Sequence, residues 1–163
     1  LGTVKNTTGT TVGTIENLGS TIVSQTFKKN YTGQAASATT DTIGVLPAGA
    51  QIVDILVDTL VAFTGSTAAN LTIGDGTTAN LYWATSDITT QGRLAITNAA
   101  TKLANWAGAT STASPNGIGI GATDVKVIAT LTPTVAAVTA GTVQYTVMYV
   151  VANSNGAQFP ASA

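Results

Sequence analysis

Four sets of residues in this chain have types and spacings that can do chemistry. Asp54 and Asp58 share the parity of one strand and are the first pair to weigh as general acid and base. Four residues of strand span roughly 13 Å at ~3.3 Å per residue, whereas paired glycosidase carboxylates sit about 5–9.5 Å apart. The two therefore read as solvated or interface carboxylates. Asp75, in Gly74-Asp75-Gly76, offers one carboxylate where calcium takes about six to eight oxygens. No other acidic residue lies within ten positions of it, so a hairpin turn is expected. Gly117-Ile118-Gly119-Ile120-Gly121-Ala122 has the letters of a dinucleotide fingerprint, which needs a strand before it and a helix after it. Here a Ser/Pro/Asn loop precedes and a Val-rich run follows, so the glycines read as one face of a strand. Tyr31, Tyr82, Trp83 and Trp106 could stack on a sugar. Tyr82 and Trp83 are adjacent on a predicted strand and point to opposite faces, so at least one belongs to the core.

No base is at hand for a Ser or Thr nucleophile. The 163 residues include no His and no Cys, and no local motif recruits Lys102, Lys126 or a carboxylate to that role. His is the usual proton carrier near neutral pH, and His and Cys are the common transition-metal ligands. No catalytic, cofactor-binding or metal-binding residue is assigned, and the chain is expected to be a structural or binding protein that needs no cofactor.

Charged residues make up 8% of the chain, against roughly a quarter in an ordinary soluble domain. Six Lys and Arg against seven Asp and Glu give a formal charge of −1. No basic stripe tracks phosphates, so no nucleic-acid partner is expected. Lys28-Lys29, the one local basic pair, reads as solvated charge flanking an edge strand. No apolar run reaches the roughly 20 residues of a membrane helix, and no secretory signal is read at Leu1, so no membrane partner is expected. The Asn-X-Thr triplets at Asn6, Asn30 and Asn70 are chance matches in a Thr-rich chain. A surface with so little charge associates readily, which points to an assembly.

The elements that must carry these residues are strands. Residues 1–30 divide off as an extended N-terminal arm (1–19) and a first strand (20–27), able to dock on a neighbour. Residues 31–163 form the body, with a short tail after 151. Strands are predicted at 41–46, 51–64, 69–73, 80–84, 117–121, 124–132 and 142–151. A turn at Pro47-Ala48-Gly49 precedes the longest of them, and a hairpin forms at Gly74–Thr77. In 51–64 the odd positions from Val53 to Phe63 are almost wholly apolar and are expected to face the core. Ile52, Asp54, Leu56, Asp58 and Leu60 lie opposite, and a run this long is expected to bend or bulge. Residues 96–106 have the spacing of one short helix. The pattern predicts an all-β fold: an antiparallel β-sandwich or jelly roll of about eight strands.

The turn Leu46–Ala50 feeding Gln51–Phe63, the hairpin Leu71–Thr77 and the late strand Val143–Val151 with its paired tyrosines resemble those of tailed-phage head-decoration, or capsid cement, proteins. The likeness spans roughly residues 41–151; the arm matches only in character. It implies a jelly-roll body that forms homotrimers on the outer surface of an icosahedral virion, bridging and stabilising neighbouring copies of the major capsid protein. The contacts are expected from the apolar residues of the arm, Leu1, Val4, Val12, Ile15 and Leu18, and from Leu56 and Leu60 on the mixed face of the long strand. The alternatives are a phage tail, fibre or baseplate module and a carbohydrate-binding or adhesin sandwich.

Overall fold

A computed structural model describes residues 4–5, 16–17, 22–48, 50–95 and 123–151. Ten strands run through them: β1 (Val4–Lys5), β2 (Glu16–Asn17), β3 (Val23–Asn30), β4 (Thr39–Leu46), β5 (Ala50–Thr64), β6 (Ala68–Gly74), β7 (Trp83–Asp87), β8 (Gly92–Ala95), β9 (Val125–Thr134) and β10 (Ala140–Val151). The short β1 and β2 pair antiparallel, Val4 opposite Asn17 and Lys5 opposite Glu16. The other eight strands form two four-stranded antiparallel sheets, ordered β3-β10-β5-β8 and β4-β9-β6-β7. Every connection from β3 to β10 changes sheet except β6 to β7. This crossing pattern, with two sheets folded face to face, is a jelly roll. The expected all-β sandwich is the observed fold, and the described residues contain no helix.

Period-two patterning builds the core. In β10 Val143, Tyr145, Val147 and Tyr149 point inward, and in β9 Val127, Ala129 and Leu131 do so, as alternation predicts. β5 departs from the simple alternation. Its register on β10 slips at three places, with Val53, Leu60 and one residue between Val61 and Thr64 left over. Each extra residue reverses which side chains face inward. Ile52, expected opposite the core, is buried at 4% exposure, whereas Val61, expected inside, is 48% exposed. Val53 is half-buried. The third slip restores Phe63 to the core.

The hairpin at Gly74–Thr77 is present but longer than predicted. The returning strand begins at Trp83, not Asn80. Asp75 Oδ1 accepts the backbone N–H groups of Thr77 and Thr78, an Asx-turn, and the chain curls once more before pairing. β8 lies where the sequence pattern is ambiguous and predicts no strand. The predicted helix at 96–106 and strand at 117–121 lie outside the described residues.

The registers fix two ends of the sandwich. The β3–β4, β5–β6, β7–β8 and β9–β10 connections lie at the upper end. The β4–β5 and β6–β7 connections lie at the lower end, where β3 enters and β10 leaves side by side.

Candidate interaction surfaces

The edge strands β3 and β4, one from each sheet, meet along one side of the sandwich. An edge strand exposes unpaired backbone groups that invite another strand. At Val45 both groups are taken by a side chain. Gln25 Nε2 donates to the Val45 carbonyl at 2.7 Å, and the Val45 N–H donates to Gln25 Oε1 at 2.8 Å. The Gln25 amide thus stands where the peptide of a further strand would be. Nε2 also lies 3.1 Å from Tyr149 Oη, toward the core.

Further along the same side a polar chain enters the core. Lys29 Nζ donates to Asp41 Oδ1 at 2.6 Å, Tyr31 Oη donates to Asp41 Oδ2 at 3.2 Å, and the Tyr31 and Tyr145 hydroxyls are 2.9 Å apart. Burial pushes both phenols far above their ordinary value. At Tyr31 the neighbouring Tyr145 and Asp41 add to that rise. At Tyr145 the hydrogen bond to Tyr31 opposes it without reversing it. Tyr82, raised by burial and by Asp75, is pushed up to about 12. Lys28, which precedes the ion-paired Lys29, is exposed.

The outer face of the β4-β9-β6-β7 sheet carries a row of threonines. Thr40 and Thr72 flank Thr130 in register across three adjacent strands. The β6–β7 connection folds over this face, and a groove of about 390 Å³ lies between Thr40, Gly76, Ala79, Ile128 and Thr130. On the outer face of the other sheet, Asp58 and Arg93 are opposite one another on β5 and β8. The guanidinium grips the carboxylate with Nε at 2.5 Å and Nη2 at 3.0 Å. Asp58, expected to be a solvated or an interface carboxylate, is not solvated: it is 7% exposed beneath an exposed arginine. Asp54 accepts the N–H of Ile55 at 2.8 Å.

Of the residues expected to make contacts, Leu1, Val12, Ile15 and Leu18 lie outside the described residues. Val4 is in β1. Leu56 is half-buried between Thr146 of β10 and Ala95 of β8. Leu60 is 38% exposed at the bulge, and that bulge separates it in register from Leu56. Sequence reasoning missed Ile22, Val23, Val45, Val61 and Val135, all large and exposed. Bulging in β5 was foreseeable from its length, but the positions of the slips were not. Nothing in the run Pro133–Thr139 marks Val135 as exposed. Of the aromatic residues considered for sugar stacking, Tyr31, Tyr82 and Trp83 are core residues, and Trp106 lies outside the described residues. Trp83 lies on β7, while Tyr82 precedes the strand, so both turn inward.

No protein-family model matches the sequence, and no curated protein matches it. Solved structures share its fold. A chain in the capsid asymmetric unit of cyanophage Pam1 aligns with a TM-score of 0.59 at 17% identity, covering 91% of this chain and 97% of that one. A chain in the capsid of Ralstonia phage GP4 aligns at 0.53 with 20% identity, covering 92% and 95%. A chain in the acidic stable capsid of Helicobacter pylori bacteriophage KHP30 aligns at 0.50 with 14% identity, covering 81% and 93%. At these identities the likeness is one of fold, and it covers 81–92% of this chain and 93–97% of those chains.

Proposed function

We propose that this chain is a structural protein of a phage virion that decorates and stabilises the outer surface of the capsid as a homotrimer, bridging neighbouring copies of the major capsid protein. The observation that carries the reading is the likeness in fold, over most of this chain, to chains of three phage capsid structures. The composition supports it: a chain with 8% charged residues has little repulsion to overcome on joining an assembly. The mechanism is mechanical and involves no enzymatic step. A protein that binds only the assembled shell stabilises it by mass action. Residues 1–19 reach onto a coat subunit or a neighbouring copy, while β3, hydrogen-bonded along β10, remains with the body.

Gold-labelled antibody against the chain, applied to virions purified from cells that produce it, tests the reading. Gold spread over the whole head is expected. Gold confined to one vertex, or virions free of label, overturns it.

A further inference from the structure

The four edge strands differ in how they are guarded. β7 and β8 are five and four residues long, and short edges discourage further strands. β4 is closed at Val45 by the Gln25 amide. β3 is eight residues long. Its pairing with β10 continues to Tyr31, whose N–H donates to the Gly141 carbonyl at 2.9 Å. Alternate residues of an antiparallel pair exchange both bonds, so Gln25, Phe27 and Lys29 bond to β10 as Tyr31 does. Ser24, Thr26 and Lys28 therefore turn their N–H and C=O groups outward, where none of the described residues bonds to them. Their side chains are exposed. Phe27, on the inner side of β3, stacks on Tyr145 with 6.4 Å between ring centroids, yet it remains half-buried at the margin of the core.

Outward donors and acceptors alternating at strand spacing are matched by another extended polypeptide. Charge narrows its kind. Lys28 lies in register with Gln144, Asp58 and Arg93 across the whole sheet. Arg93 holds Asp58 and Asp41 holds Lys29, so Lys28 has no ion-pair partner among the described residues. Opposite charges facing each other on adjacent strands stabilise the pair, and like charges destabilise it. A second β3 brings two more lysines and no Asp or Glu, which makes this edge a poor match for another copy of itself. We propose that the β3 edge accepts an extended acidic segment of another protein, which joins the sheet as a further strand with a carboxylate beside Lys28. An apolar side chain on the inner side of that segment completes the cover of Phe27. The inference goes beyond the capsid reading and does not depend on it.

The test is amide hydrogen exchange and peptide titration on the full chain, followed by NMR. The probes are a short peptide of alternating Thr and Val with a central Glu, the same peptide with Lys in place of Glu, and a peptide of residues 1–19. In the free chain the Thr26 and Lys28 amides are expected to exchange fast and those of Phe27 and Lys29 slowly. The Glu peptide should bind at least ~10-fold more tightly than the Lys peptide and slow exchange at Thr26 and Lys28. Lys28→Glu should reverse that preference. Thr26→Pro removes an outward N–H from an edge strand, where proline is tolerated, and should abolish binding. If Thr26→Pro does not fold, the exchange at Thr26 in the wild type and the Lys28→Glu reversal decide. Slow exchange at Thr26 and Lys28 in the free chain, equal affinity for the Glu and Lys peptides, failure of both to bind, or tighter binding of the 1–19 peptide overturns the inference.

Discussion

Gln25 does at one residue what a further strand would do for the β4 edge. Its amide satisfies the N–H and C=O of Val45, and its removal leaves both without that partner. Gln25→Ala is expected to cost about 1–3 kcal/mol, measured by denaturant melting, with faster hydrogen exchange at the Val45 amide. Gln25→Glu, which can accept the N–H but cannot donate to the carbonyl, should fall between the two. The buried phenols set a pH dependence. Tyr31, Tyr82 and Tyr145 are all raised above their ordinary value of 10.0 in the folded chain. Above that pH the unfolded chain releases these protons first, so the folded state binds more protons and stability falls as pH rises. Below it these groups contribute no slope. Melting temperature measured between about pH 8 and 12 should bend downward past about 10, and Tyr31→Phe combined with Tyr145→Phe should flatten the bend. At this scale the sequence was partly legible. Asp75 as a turn former followed from the glycines beside it. The Gln25–Val45 clamp, spanning 20 positions, has no sequence signal, because any exposed Gln reads as solvated until the two edges are brought together.

At the scale of elements, patterning carried furthest where strands are regular. β9 and β10 lie where alternation placed them, within two residues at each end. β5 shows the limit: alternation identifies a strand but not an inserted residue, and each insertion inverts the assignment of everything beyond it. β8 is four residues long, too short to display a period. The turns contribute as much definition as the strands. Gly33 and Gly65 both have left-handed φ, at 78° and 89°, but a Cβ meets nothing within 4 Å at Gly33 and strikes Ala137 O and Thr139 at Gly65. Gly33→Ala is therefore expected to cost about 1 kcal/mol from backbone strain alone. Gly65→Ala should cost more, by about 1–3 kcal/mol, because the β5–β6 and β9–β10 turns must part. Thermal melts of the two variants side by side give the comparison.

For the whole molecule, all eight sandwich strands lie within residues 23–151. Deleting residues 1–19 should leave the melting temperature of the body nearly unchanged while weakening its attachment to heads, read by co-sedimentation. Undiminished attachment would remove the arm from the proposed mechanism. Extending the deletion through Asn30 takes away β3, and with it both the ladder to β10 and the Gln25 clamp, so that variant should lose its cooperative melt.

The adjacency of Val23 and Tyr149 across the β3–β10 ladder also decides how the molecule answers tension. A tether pulled between those two neighbouring points peels the ladder apart rung by rung from Val23 toward Asn30, which takes little force. The same tether drawn from Val23 to Val135 runs lengthwise through the sandwich and must shear many backbone hydrogen bonds at once. The domain is weak to unzipping and tough along its long axis, and a load-bearing place for it would transmit stress between its opposite ends.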